Sequence, residues 1–456
     1  MRLRSLAFSL LAATALSAPL YAGPIKTVFY IDMENHNLTD PNPSGVVGGT
    51  QVAPAQLLGN PAAPYLNSLM TPGNANAAQT SWASNYKNVL ANSGVHIHPS
   101  EPSYLWQEGG SNFGVANDAS VAANSPAVGH APSLTGALQN KGISWKSYQE
   151  DADLLTTSGK NGTAGDQTTN GAINGTSSNL TSTVAPKSDW TVPLVSLNGT
   201  SAAYTNAYNG SHQYNFATKH DGQLFFDQTN GITDHSVNGG VTTNAAGTGT
   251  QDAANPLSGH YAPLQQLAND LSSNSVARYN LITPDQYNDM HTALSGGFTY
   301  NGVHYTGDAA AVAQGDNFLS QVIPMIMASQ AYQDGGAIVL WFDESEETAM
   351  ADAMGNPVAT DPDASGTTIP EIVISKWAKG NAYESTLPYT HTSDLLTMEA
   401  LFGLGNAVPR DPRDTAAAYD LSDLFQPGAV PEPASGLMLL SGLLTTMLFL
   451  RRRRRG

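Results

Sequence analysis

Serine, histidine and carboxylate side chains recur at a few short sites in this chain, and they are the residue types that carry nucleophilic and metal-assisted chemistry. Ser100 sits in His96-Ile97-His98-Pro99-Ser100-Glu101-Pro102-Ser103. Prolines on both sides restrict the backbone and hold the hydroxyl in one place. A divalent cation beside such a hydroxyl lowers its pKa and makes it a nucleophile. The Gly-x-Ser-x-Gly pattern of metal-free ester hydrolases is absent here. Carboxylates cluster elsewhere: Asp32-Met33-Glu34-Asn35-His36, Asp285 to Asp289-Met290-His291, and Asp343-Glu344. His391 stands in Tyr389-Thr390-His391-Thr392-Ser393.

The elements that must carry these groups are legible as apolar runs. Lys26 to Asp32, Tyr279 to Ile282, Ala337 to Phe342 and Ile369 to Ile374 read as buried strands. Pro263 to Ser272, Asp316 to Tyr332 and Ser393 to Phe402 read as helices. Strands alternating with helices predict an α/β fold with a mostly parallel central sheet. Three of the strands run directly into the acidic segments, and open α/β sheets bind ligands beyond the carboxyl ends of their strands. Glu34, Asp289, His291, Asp343 and Glu344 are thereby aimed at one region. Carboxylates that close repel one another unless a cation lies between them, so the set predicts a divalent metal ion. Each piece alone has a plainer reading: Glu34 as a helix cap, Asp343-Glu344 as a solvated acidic turn, His391 as a core histidine, Ser100 as a loop-shaping residue.

Bulk composition narrows the partners. Setting aside Arg2, Arg4 and the five terminal arginines leaves 12 basic residues against 37 acidic ones, a net charge near −25. That argues against nucleic acid as a partner and is compatible with bound cations. With no cysteine, any metal must be held by oxygen and imidazole ligands.

Both termini read as sorting segments. Met1 to Ala22 has Arg2 and Arg4, an apolar stretch and small residues, the pattern of a secretory signal peptide. Val430-Pro431-Glu432-Pro433 is followed by an apolar run from Gly436 to Leu450 and then by Arg451 to Arg455. The run is shorter than the ~20 residues of a comfortable membrane span. This tail, residues 430–456, resembles the PEP-CTERM sorting signal. The resemblance implies transient inner-membrane anchoring, cleavage by an exosortase, and a final place at the cell surface or in the extracellular matrix. Between the two signals, residues 23–428 form the expected functional domain. Residues from about 152 to 260 are rich in Asn, Gly, Thr and Ser and read as a long polar surface insertion.

The internal motifs together resemble the bacterial and fungal acid phosphatase and phospholipase C phosphoesterase family, within the alkaline phosphatase superfamily. The likeness rests on Met33-Glu34-Asn35-His36, His98-Pro99-Ser100 to Tyr104, Gly142 to Glu150, Lys219-His220, Thr283 to His291, Gly315-Asp316, Phe342-Asp343-Glu344 and Pro388 to Ser393, in that order. It implies an alkaline-phosphatase-like α/β/α sandwich and a phosphate ester substrate. Ser100 would be the phosphorylated nucleophile, with His98 and His220 as catalytic partners. Glu34, Asn35, Asp343 and Glu344 would hold a metal, with Asp289, His291 and His391 as further ligands. Ser103, His130 and Asn35 would contact substrate. Two departures stand out: Ser103 replaces the family's usual Asn, and Gly222 replaces the proline of Lys-His-x-Pro. The implied activity is an exported, metal-dependent acid phosphatase working through phosphoserine. The alternatives are a phospholipase C-type phosphodiesterase and a non-catalytic surface or matrix protein on the same fold.

Overall fold

The computed structural model describes residues 23–39, 46–47, 50–51, 56–90, 96–119, 121–151, 165–166, 205–230, 260–345, 367–414 and 419–431. The expected signal peptide (1–22), nearly all of the expected sorting tail (430–456) and most of the expected polar insertion lie outside them. No helix among the described residues is long and apolar enough to cross a membrane.

Eight strands form one sheet: β1 (Thr27–Met33), β2 (Thr80–Ala83), β3 (Trp145–Gln149), β4 (Tyr261–Pro263), β5 (Tyr279–Thr283), β6 (Gly336–Phe342), β7 (Glu371–Ser375) and β8 (Tyr383–Ser385). Their spatial order is β8-β2-β7-β6-β1-β5-β3-β4. β6, β1, β5, β3 and β4 run parallel, while β7 is antiparallel to both of its neighbours. The expected mostly parallel sheet is therefore present, with one reversed strand. The apolar runs of β1 and β6 are buried along almost their whole length, as strands covered on both faces must be.

Alternation along β1 shows what covers each face. On one face, Asp32 Oδ1 accepts a 2.7 Å hydrogen bond from Gln107 on helix α2 (Ser100–Gly109), which follows helix α1 (Pro64–Leu69) in the chain. On the other, Met33 borders Gly315 in a long helix that spans Asp308–Ala328. Helices thus lie on both sides, which makes the α/β/α sandwich. The α2 layer also contains the helices Leu134–Asn140 and His391–Phe402. The long helix begins earlier than its apolar pattern predicts, because Asp308-Ala-Ala-Ala-Val-Ala supplies strong helix formers ahead of the amphipathic part. Gly315 permits close approach: a Cβ there would lie 2.2 Å from Met290 Cγ.

Within the stretch expected to be a surface insertion, residues 214–226 instead join the core. Tyr214, Phe216, Leu224, Phe225 and Phe226 are buried, and so is His220. The polar composition of the stretch as a whole hid this short aromatic run.

Several carboxyls are buried with no basic side chain among the described residues acting on them. Burial pushes Asp32 up to about 7, against hydrogen bonds from Gln107 and Thr283 that lower it. It pushes Asp394 up to about 7 and Glu150 up to about 8. A carboxyl whose pKa is raised in the fold holds a proton that the unfolded chain releases, so stability falls as pH rises through the folded value. Burial also keeps His220 and His291 neutral, which opposes this trend below about pH 6.5. Above that pH the carboxyls act alone. Between pH 6.5 and 8.5 the metal-free protein is expected to lose on the order of 2 kcal/mol or more of stability. Denaturant midpoints measured in chelator test this; a midpoint that holds or rises would contradict it.

Candidate active site

β6, β1 and β5 are adjacent and parallel, so their carboxyl ends open on one edge. Met33 pairs with Phe342 in register, which sets Glu34 level with Asp343. The Glu34 backbone N–H donates to the Asp289 carbonyl at 2.9 Å, tying in the segment after β5. Asn35 has φ of 37°, in the left-handed region that Asn tolerates better than most residues, and its N–H donates to Asp343 Oδ1 at 3.0 Å. Met290, between Asp289 and His291, also has positive φ, at 84°. Such backbone strain tends to gather at functional sites.

Ser100 is the first residue of α2, not part of a proline-bounded loop. Pro99 precedes the helix and Pro102 lies in its first turn, where backbone N–H groups have no intrahelical acceptor and proline is tolerated. The helix aims Ser100 at the strand ends. Its Oγ lies 2.9 Å from Glu34 Oε2, 3.4 Å from Asn35 Oδ1 and 3.3 Å from Glu344 Oε1. On its far side, Glu344 Oε2 lies 2.7 Å from His98 Nδ1. One helical turn on from Ser100, Tyr104 donates from its phenol to Glu34 Oε1 at 2.5 Å and stacks on His220, with ring centroids 5.0 Å apart.

Glu34 is thus flanked by two groups of ligand atoms. On the Ser100 side are Asn35, Asp343 and Glu344. On the other, His220 Nε2 is 3.3 Å from Glu34 Oε1, and His220 Nδ1 is 3.9 Å from Asp289 Oδ2. Glu34, His220 and Asp289 offer ligand atoms within 4.8 Å of one another. Burial first, then mutual repulsion, pushes Glu34 well above the usual carboxylate range, and burial does the same to Asp289 and Asp343. Burial lowers His220, keeping its imidazole neutral, as a ligand must be.

Two observations test whether a cation fits. The Asn35 amide oxygen faces oxygens: Glu34 Oε2 at 3.0 Å and the two Asp343 oxygens at 3.2 and 3.3 Å. In this orientation the amide oxygen could join the carboxylates around a divalent ion, and turned about the amide would donate to those same oxygens. Asp289 Oδ2 and both ring nitrogens of His220 are buried and make no hydrogen bond. Unpaired buried polar atoms are costly, and metal coordination would satisfy them. The donor set of carboxylate, amide and imidazole suits a hard or borderline divalent metal.

Other residues singled out from the sequence fall elsewhere. His391 was expected to ligate metal, but both of its ring nitrogens face other partners. Nε2 donates to the Asp343 carbonyl at 2.6 Å, and Nδ1 is 2.9 Å from the Tyr86 hydroxyl. Tyr86 in turn donates to Asp394 at 2.6 Å. The histidine thus buttresses the Asp343 backbone from behind. His291, whose pKa burial lowers to about 4, donates its backbone N–H to Asp289 Oδ1 at 2.8 Å. Its Nδ1 is 2.8 Å from Thr292 Oγ1, so that nitrogen faces a hydroxyl instead of the carboxylates. His130 is exposed in the turn after the helix Val121–Val128, outside the buried cluster. Ser103 is buried on α2, and its Oγ has no hydrogen-bond partner among the described residues. His220 lies among the metal-ligand atoms instead of at a solvent-facing position suited to proton transfer.

The sequence reading missed Tyr104. Its spacing of four from Ser100 is the signal for a shared helix face, once the helix is recognised.

A model of the phosphoesterase family matches residues 70–405. The chain belongs to that family. This phosphoesterase is also similar to solved structures. One is a protein in the alkaline phosphatase superfamily from Vibrio parahaemolyticus, with 12% identity, a TM-score of 0.44, and 90% of this chain and 71% of that chain covered. Another is the lipoteichoic acid synthase LtaP from Listeria monocytogenes, with 10% identity, a TM-score of 0.41, and 86% and 75% covered. A third is the PsFucS1 sulfatase from Pseudoalteromonas sp., with 12% identity, a TM-score of 0.40, and 90% and 74% covered. No curated protein matches the sequence. Family membership and the buried ligand set make the chain a hydrolase of ester bonds.

Proposed function

We propose that this phosphoesterase is an exported, metal-dependent phosphatase that hydrolyses phosphate monoesters through a phosphoserine at Ser100. The observation that carries the reading is the Ser100 hydroxyl, at a helix start, within 2.9 Å of Glu34 and 3.3 Å of Glu344.

Ser100 Oγ attacks phosphorus in line with the ester oxygen. The Oγ–P bond forms and the ester P–O bond breaks. The serine proton passes to the Glu344–His98 pair, whose two members lie 2.7 Å apart. The leaving oxygen, on the opposite side of phosphorus, takes its proton from solvent water. Water then attacks the phosphoseryl phosphorus and gives up a proton to solvent, the Oγ–P bond breaks, Ser100 Oγ takes its proton back from the pair, and inorganic phosphate departs. Tyr104 fixes Glu34 throughout, and His391 fixes Asp343. A divalent cation held by Glu34, Asn35, Asp343 and Glu344 would supply charge to lower the hydroxyl pKa and to stabilise the phosphoryl oxygens.

Hydrolysis of p-nitrophenyl phosphate, abolished by chelator and restored by divalent metal, tests the reading. A metal-loaded protein with no turnover would overturn it. Ser103→Asn is expected to raise turnover, because the hydroxyl is buried without a partner among the described residues and stands where the motif resemblance implies an Asn that contacts phosphate. Unchanged or reduced turnover in that variant would place Ser103 out of reach of the phosphate. For export, mass spectrometry of protein from its native host is expected to find a mature end near Pro433. A mature chain still ending at Gly456 would contradict processing.

A further inference from the structure

Lys219 is brought to the mouth of the site from two directions. Its neighbour His220 reaches Glu34 Oε1 at 3.3 Å. Its own ammonium pairs with Asp118 Oδ2. The other oxygen of Asp118 accepts the Glu101 backbone N–H at 3.1 Å, and Glu101 directly follows Ser100. One carboxylate therefore ties the lysine to the same helix end that presents the Ser100 hydroxyl. Lys219 is mostly covered, with 12% of its side chain exposed, while Asp118 lies nearer the rim at 27%. The lysine's charge reaches Glu34, Asp343 and Glu344.

We propose that Lys219 binds a non-bridging phosphoryl oxygen of the substrate and biases the site toward dianionic monoesters, with Asp118 holding the ammonium at the mouth. This rests on the reading of the site as a phosphate-ester hydrolase. A monoester brings two negative charges near neutral pH, a diester one. A fixed cation therefore favours the monoester, and more so where water is excluded.

The test compares metal-loaded wild type with Lys219→Met and Lys219→Arg. Inorganic phosphate is the probe in titration calorimetry, and p-nitrophenyl and bis-p-nitrophenyl phosphate are the substrates. Lys219→Met is expected to weaken phosphate binding about 10- to 100-fold, the range of a hydrogen bond to a charged group. Its bound metal and its circular dichroism should match wild type. The monoester-to-diester ratio of kcat/KM should fall at least about tenfold, and Lys219→Arg should restore most of both losses. Phosphate affinity within twofold of wild type in Lys219→Met would overturn the proposal. So would an unchanged ester ratio, or loss of the metal itself, which would assign the lysine to the metal site. If wild type turns over neither ester yet binds phosphate through Lys219, the inference stands and the reaction assigned above fails. If wild type is active and Lys219→Met is unaltered, the reaction stands and the inference fails.

Discussion

Ser100→Ala is expected to keep its metal and its fold while losing at least about 10³ in turnover of p-nitrophenyl phosphate. Alanine is an excellent helix former, so the first turn of α2 survives the change. The variant gives up one hydroxyl bonded to Glu34 Oε2, which costs stability only on the order of 1 kcal/mol. Glu34, Asn35, Asp343, Glu344, His220 and Asp289 keep every ligand atom. Metal content and phosphate binding therefore remain, and what disappears is the oxygen that forms the bond to phosphorus. Ser100→Thr retains a hydroxyl and is expected to keep measurable turnover if the packing around this buried position admits a methyl group. Near wild-type turnover in Ser100→Ala would move the nucleophile elsewhere.

The double variant Asp343→Asn with Glu344→Gln is expected to lose bound metal and to lose activity by a comparable factor. Both residues follow β6 directly and are fully or nearly fully buried. Removing their charges takes two anions from the Ser100 side of Glu34. Glu34 and Asn35 alone are then too few and too weakly charged on that side to hold a divalent ion. The fold should survive for a reason visible in the metal-free state. Repulsion from Asp343 helps push the Glu34 carboxyl up, so neutral amides relieve a conflict. The melting temperature of the variant in chelator is expected to equal or exceed that of wild type in chelator. Metal analysis after dialysis reads the first effect and a thermal melt the second. Unchanged metal content would remove Asp343 and Glu344 from the ligand set.

Much of this arrangement is legible before any coordinates. Short apolar runs rich in β-branched and aromatic residues, such as Ala337 to Phe342, fit strands covered on both faces, and a sheet of such strands puts Asp343 and Glu344 at a shared edge. Ser100 is found from its neighbours, but its element is not. Pro99 and Pro102 read as loop punctuation, and only the structure shows that both fall where a helix start accepts proline. The helix in turn brings in Tyr104. His391 illustrates the opposite error. A histidine just after Thr390 looks available, yet its partners Tyr86 and Asp343 lie far away in sequence and take both ring nitrogens. The Lys219–Asp118 pair is hidden in the same way, because its members are 101 residues apart. His220 lies inside a stretch whose polar composition reads as surface, although the residues around it are core. Periodicity and composition report local burial; they do not report which distant side chain completes a hydrogen bond.

The covalent step is the claim on which the account stands, and trapping tests it most directly. Metal-loaded protein is mixed with a phosphate monoester labelled on phosphorus, quenched in acid during turnover, digested and sequenced. The account predicts label on Ser100, in the peptide that contains His98 and Tyr104, and none in Ser100→Ala. Label on another residue, or active protein that never carries label, would contradict it.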